Sequence, residues 1–249
     1  MEHTKETYYM KGFLPYALAA FLVGIVGGLS TVLGPAFMLD MNLAYNNTTW
    51  SALAQAVSTA ACAPILGKLG DLFGRRKTLL SGILVFTLGS ILSALSTSLP
   101  FLLIARFVVG IGTAAIAPTV MFYIITEFPP QQIAKGFSLY MLISSMAVIF
   151  GPSLGGLILE ASTWRMLMWI SSILCVIFLL LCFFTLPKQT FVKKPLKNFD
   201  LIGSFFIIAF FSLLLCVPSF GQNFGWASTP FLLVLTLALI TLVALVVIE

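Results

Sequence analysis

From Phe13 onward the chain alternates long apolar stretches with short polar clusters. Cutting at the charge and turn clusters leaves eight apolar stretches, roughly 13–38, 50–69, 78–98, 100–123, 133–159, 164–186, 201–220 and 230–248. Each holds about 20 residues or more, and at about 1.5 Å rise per residue each can cross some 30 Å of hydrocarbon as a helix. The predicted fold class is an all-α polytopic membrane protein with eight spans.

The connectors between these stretches are of two kinds. Those after spans two, four and six (Lys68 to Lys77, Glu127 to Lys135, Pro187 to Asp200) hold basic residues, and those after spans one, three and seven hold none. Lysine and arginine favour the cytoplasmic side. With the amino terminus inside, eleven of the thirteen basic residues fall on that side; Arg165 sits at the outer edge and Arg106 lies within a span. Both termini are therefore expected in the cytoplasm and the chain in the cell membrane. Asn46 and Asn47, two overlapping N-x-T sequons, then fall in the first outer loop, where a eukaryotic secretory route could glycosylate them; the preferred reading is two ordinary loop asparagines of a bacterial protein. The connector Pro187 to Asp200 is rich in lysine and proline and follows six spans, which makes it the internal boundary. The expected organisation is a tail over 1–12, a six-helix bundle over 13–186, a linker over 187–200 and two further spans within 201–249.

Composition narrows the function classes. Sixty per cent of the 249 residues are apolar and 8% are charged, against roughly 45–50% and about 25% for a soluble domain, so no room remains for a separate aqueous domain. The first stretch is too long for a signal-peptide core and lacks a cleavage pattern, so it is expected to stay as the first span. The net charge of +5 is spread in small groups, which argues against a nucleic-acid partner. Cys62, Cys175, Cys182 and Cys216 lie inside apolar stretches without C-x-x-C spacing, and the only histidine is His3. Neither a disulfide framework nor a metal site is expected.

Two enzyme patterns fit by spelling alone. Gly151-Pro152-Ser153-Leu154-Gly155 matches G-x-S-x-G, but that motif needs a strand before it and a base beside it. Gly110-Ile111-Gly112-Thr113-Ala114-Ala115 matches a dinucleotide fingerprint, yet it lies within a span, where small residues serve helix packing. No phosphate-binding loop exists, and the chain is not expected to be an enzyme.

Three features remain. Gly67-Lys68-Leu69-Gly70-Asp71-Leu72-Phe73-Gly74-Arg75-Arg76-Lys77 packs glycines around one acid and a basic triplet; Gly67 allows close helix approach, Gly74 a tight turn, and Asp71 can pair with Arg75. Arg106 is the one charge well inside a span, roughly 9 Å from its outer end at about 1.5 Å per residue, and an intramembrane arginine marks a pathway or a buried partner. In span five, Gly151-Pro152 should break the helix ladder and Gly155-Gly156 should admit a neighbouring helix.

These pieces, in this order, resemble the major facilitator superfamily. Gly67 to Lys77 resembles its loop signature between helices two and three, Leu103 to Gly112 its helix-four motif with the arginine, and Ala147 to Gly156 its helix-five antiporter motif. Trp50, Ser162 to Arg165, Asn198 to Gly203, Gly225-Trp226 and Glu249 resemble the fourteen-helix drug:proton antiporter branch, in which two extra helices follow the first six. The resemblance implies a charge relay of Asp71 and Arg75, with Gly67, Gly74 and Arg76 in the same loop, and with Glu127 at the inner end of helix four. It implies proton coupling or cavity electrostatics for Arg106, and a bend that limits leak for Gly151 and Pro152.

The chain departs from that branch in three places. The usual helix-one aspartate falls near Val26, the helix-two aromatic near Gln55 and the helix-four glutamine at Val109. No carboxylate sits deep in any span.

The expectation is the amino-terminal half, with two linker helices, of a secondary transporter exporting small hydrophobic or drug-like molecules by alternating access. The proton gradient would drive it, with no cofactor. Its partners would be the lipid bilayer, a small-molecule substrate and a missing carboxy-terminal half in the same or another chain. The alternative is a non-transporting membrane subunit or assembly module that needs a partner half. Candidate cavity residues are Ser30, Thr31, Gln55, Ser58, Thr59, Arg106, Tyr140 and Ser144, each of which could equally be a helix-packing polar residue.

Overall fold

The computed structural model describes the backbone of residues 2–41, 45–186 and 201–248, and within them the side chains of 12–29, 31–37, 40, 49–70, 72–186, 203 and 205–245. The expected linker 187–200 and the side chains of Ser30, Asn46, Asn47 and Asp71 lie outside the described residues.

Among the described residues there are helices and no strand, as hydrocarbon demands of a segment whose backbone groups must pair internally. The order is α1 (Glu2–Thr31), α2 (Leu33–Met41), α3 (Tyr45–Phe73), α4 (Arg75–Ala94), α5 (Leu99–Ala114), α6 (Ile116–Glu127), a 3-10 turn (Pro130–Gln132), α7 (Ile133–Ala161), α8 (Trp164–Thr185), α9 (Leu201–Phe224) and α10 (Thr229–Ile248).

Spans one and four, expected as single helices, are each broken once. The backbone N–H of Val32 donates to Leu29 at 3.3 Å and that of Ala115 to Gly112 at 3.3 Å, tightened bonds between residues three apart. Each break lies three residues before a proline, Pro35 or Pro118, whose ring has no N–H for the carbonyl one turn earlier. Pro64, Pro152 and Pro218 sit inside α3, α7 and α9 without interrupting them. At Gly151-Pro152 the ladder lacks the bond that a proline cannot donate, yet α7 runs through it as one helix.

Seven described helical stretches are long and apolar enough to cross a membrane, from Gly12–Leu29 to Phe205–Phe224. The eighth expected span corresponds to α10, whose described apolar stretch, Thr229–Leu245, is shorter than these.

The packing joins α1 to α7, α6 and α8, α3 to α5, α4 to α5 and α8, and α9 to α3 and α10. In lipid the drive for association is close packing rather than water exclusion, which small residues permit. A Cβ added at Gly28 would lie 2.9 Å from the Gly151 Cα, and one at Gly24 2.6 Å from the Ala147 Cβ, so α1 and α7 touch backbone to backbone. Between α4 and α5, Gly112 meets the Phe86 backbone and Gly89 meets Val109 in the same way.

Two apolar cores fill the bundle. One gathers Phe13, Tyr16, Leu79, Val120, Tyr123 and Phe128 near the end where α4 begins, with the Tyr16 and Tyr123 rings stacked at 4.3 Å. The other gathers Val26, Phe37, Phe86, Leu102, Trp164 and Leu167 toward the opposite end, with Phe37 edge-on to Trp164 at 4.8 Å. Large apolar side chains such as Ile149, Phe184, Phe205 and Ile240 point outward, as a bilayer solvent allows.

Candidate functional site

At the end of the bundle where α3 turns into α4, Gly74 adopts φ 94°, a left-handed conformation that only glycine takes without strain. Its N–H donates to the Gly70 carbonyl at 3.1 Å, and its own carbonyl accepts from the Thr78 N–H at 3.2 Å. Behind the turn, Gly67 lets α3 approach α6: a Cβ there would lie 3.3 Å from the Pro118 Cβ.

The two arginines that follow both reach helix carboxy-termini. Arg75 Nη1 lies 3.7 Å from Glu127 Oε1 and donates to the Thr126 hydroxyl, while its guanidinium stacks 3.9 Å from the Phe122 ring, all in the last turns of α6. Arg76 Nη2 donates to the Phe183 carbonyl at 2.8 Å in the last turn of α8. Cations at a helix amino terminus are unfavourable, and α4 offsets that by placing both on the negative ends of two neighbouring helices. Arg75 and Glu127, two members of the expected relay, are thus brought together. The Asp71 side chain lies outside the described residues.

The second feature is a cavity of about 520 Å³ between α1, α3 and α5. Its polar wall is Thr31, Ser51, Gln55, Thr59, Arg106 and Thr113; Gly27, Ala52, Ala56, Ala60 and, from α9, Leu215 complete it. Arg106 is 3% exposed. It donates through Nη1 to Gln55 Oε1 at 3.3 Å and through Nη2 to Met168 Sδ at 3.7 Å, with its guanidinium 5.6 Å from the Phe37 ring centre. Gln55 also organises the wall through its backbone, because its carbonyl accepts from Thr59 at 2.8 Å and from Ser58 at 3.0 Å. Thr59 lies 3.2 Å from the Gly110 carbonyl as well, which ties α3 to α5. A Cβ at Gly110 would fall 2.4 Å from the Gln55 carbonyl oxygen, so the G-x-G spelling in α5 serves helix contact.

Of the expected cavity residues, the structure gathers Thr31, Gln55, Thr59 and Arg106. Ser58 is buried toward α5, Ser144 packs its carbonyl against Gly24, and Tyr140 joins the core around Tyr16. Tyr140 therefore does not line this cavity. Ser51 and Thr113 do, and sequence reasoning missed them although the signal was present: Ser51 is four residues before Gln55, and Thr113 is seven after Arg106, on the same helix faces.

In α7, Gly151 meets Gly28, and Gly155 meets Val32 and Leu29. Gly156 has nothing within 4 Å of an added Cβ, so of that glycine pair only Gly155 admits a neighbour among the described residues. Ser153 is exposed on an unbroken helix, without the strand a nucleophile elbow requires. Among the described residues no three His, Cys, Asp or Glu side chains form a metal-binding group.

A further cluster, not foreseen from sequence, closes the opposite end. Asp40 on α2 accepts from the Trp164 indole N–H at 2.9 Å and from Arg165 Nη1 at 2.6 Å. Arg165 Nη2 donates on to the Ser96 carbonyl at 3.4 Å. The indole N–H and then the guanidinium hold the Asp40 carboxyl below its ordinary value of 3.8. With 125 positions separating Asp40 from Arg165, no local spacing could reveal this pairing.

Comparison with known proteins places these features. A family model described as Major Facilitator Superfamily matches residues 16–248. The chain is 29% identical over 252 residues to the multidrug transporter protein MdtP of Bacillus subtilis, covering 100% of this chain and 45% of that protein. It is 25% identical to the probable multidrug resistance protein EmrY of Escherichia coli, covering 94% of this chain and 46% of that one. The chain thus spans a little under half the length of these curated relatives. Among solved structures it resembles, with TM-score 0.61 and 18% identity over 88% of this chain and 56% of the other, a bacterial homologue of the human lysosomal transporter Spinster. The POT family transporter PepTSo is similar at TM-score 0.61 and 15% identity, over 92% of this chain and 51% of that one.

Proposed function

The chain belongs to the Major Facilitator Superfamily, and from that premise we propose that it forms the cavity-bearing bundle of a proton-driven efflux transporter for small hydrophobic or drug-like molecules. It is a multi-pass membrane protein and a transporter rather than an enzyme. In the proposed arrangement both termini face the cytoplasm, the cell membrane is its site, and a second bundle completes the machine. That bundle would lie in the same polypeptide or in another. Relatives about twice as long support it.

The observation that carries the reading is the cavity around Arg106. A charge is held inside a span, at a cost of at least ~2.5 kcal/mol on insertion scales, and Gln55 turns it toward a space bounded by α1, α3 and α5. Alternating access then rocks one bundle against the other about that site. The α1–α7 glycine seam keeps the near wall tight. Arg75 and Arg76 hold the α3–α4 turn against α6 and α8, so the bundle moves as a body. Arg106 contributes to proton coupling through its field on the cavity.

Energised vesicles carrying the chain with a co-expressed carboxy-terminal bundle test this. Efflux of a hydrophobic dye should appear, stop when the proton gradient is collapsed, and fall at least tenfold (~1.4 kcal/mol) in Arg106→Ala. Efflux indifferent to the gradient would overturn proton coupling, and efflux unchanged in Arg106→Ala would overturn the role of the arginine.

A further inference from the structure

We infer that the cavity selects amphiphilic anions, molecules with one negative charge on an apolar body, over cations of the same size. This rests on the reading that the cavity is the substrate site. The charge in its wall is positive: Arg106, placed by Gln55, is the one ionisable residue among those that line it. The acids of this chain lie away from the middle of its spans. The eight acidic residues are Glu2, Glu6, Asp40, Asp71, Glu127, Glu160, Asp200 and Glu249, none deep in an apolar stretch. Of the two nearest the bundle's outer end, Asp40 is engaged by Trp164 and Arg165, and Glu160 is exposed at the end of α7.

The rest of the wall suits the body of such a ligand. Gly27, Ala52, Ala56, Ala60 and Leu215 are apolar. The Thr31 and Thr59 hydroxyls are spent on backbone carbonyls, Thr31 on Gly28 at 2.7 Å and Thr59 on Gln55 at 2.8 Å. A cation entering would meet the guanidinium field with no acidic side chain among the residues that line this cavity, in a low-dielectric surround where like charges repel strongly. An anion would instead gain charge-assisted hydrogen bonds from the guanidinium.

The test uses two ions of nearly equal size and shape, tetraphenylborate and tetraphenylphosphonium, binding to the purified full chain in lipid nanodiscs, with empty nanodiscs subtracted. The wild type should bind the borate more tightly, and Arg106→Gln should shrink the anion-to-cation affinity ratio at least tenfold (~1.4 kcal/mol). Ala52→Glu leaves the arginine in place and adds a carboxylate that offsets its charge in the wall, so it should remove the anion preference even if Arg106→Gln fails to fold. Ala56→Trp places an indole in the cavity and should weaken specific binding of both ions at least tenfold (~1.4 kcal/mol). A wild type that prefers the phosphonium, or a ratio unmoved by both Arg106→Gln and Ala52→Glu, overturns the anion selectivity while leaving the cavity as a ligand site. Binding unchanged in Ala56→Trp, or no binding of either ion, overturns the substrate-site reading and the selectivity with it.

Discussion

Arg106 is buried at 3% exposure in a helix that would be more stable in lipid without it. That sets function against stability in one side chain. Replacing it by methionine should leave thermal stability unchanged or raise it, by ~2.5 kcal/mol if the insertion cost is recovered, while dye efflux by the completed transporter falls at least tenfold (~1.4 kcal/mol). A thermal-shift assay beside the flux assay reads both. Asp40 shows the opposite economy, an exposed acid with two donors. Its folded pKa is depressed, so its stabilisation is present above the ordinary carboxylate value and lost as pH falls below it through the folded value. Unfolding of the wild type should become easier below about pH 4, and Asp40→Asn should flatten that acid limb. An identical acid limb in the variant would show that the Trp164 and Arg165 contacts contribute nothing. From the sequence, Arg106 was conspicuous as the one charge inside a span. The partner of Arg165 was invisible because tertiary folding alone brings α2 to the start of α8.

At the scale of elements, the α1–α7 seam makes the sharpest contrast. A methyl group at Gly151 would lie 2.6 Å from the Gly28 Cα, whereas one at Gly156 would meet nothing. Gly151→Ala should cost about 1–3 kcal/mol through overpacking. Gly156→Ala should be neutral or gain up to ~1 kcal/mol from the better helix former. Unfolding midpoints in matched detergent compare them, and equal effects would mean that the seam is not close-packed. The same seam explains the misplaced Tyr140. Tyr140, Ser144, Ala147, Gly151 and Gly155 recur at three- and four-residue steps on one face of α7, and that face is turned into α1. The helices themselves were legible because apolar length nearly dictates a span. Their internal breaks were not: Pro35 and Pro118 interrupt while Pro64, Pro152 and Pro218 do not, which depends on the packing around each carbonyl.

For the whole molecule, the proposed function expects the joint between Arg75 and the end of α6 to matter more to motion than to stability. Glu127 is 45% exposed, and exposed pairs of this kind contribute at most ~1 kcal/mol. Glu127→Gln should therefore leave the melting temperature nearly unchanged while slowing efflux by the completed transporter. A large fall in stability would make the contact structural instead. The loop signature was readable from Gly67 to Lys77 because glycine spacing and charge coincide there. The cavity was only half readable, since it depends on which faces of α1, α3 and α5 converge and on α9 supplying Leu215. Its place as the transport site is the central claim, and the most direct measurement is dye efflux by the completed transporter carrying Ala56→Trp, a substitution that narrows the cavity and leaves Arg106 in the chain. The account predicts that the protein reaches the membrane at wild-type level and its efflux is abolished; efflux at the wild-type rate would contradict it.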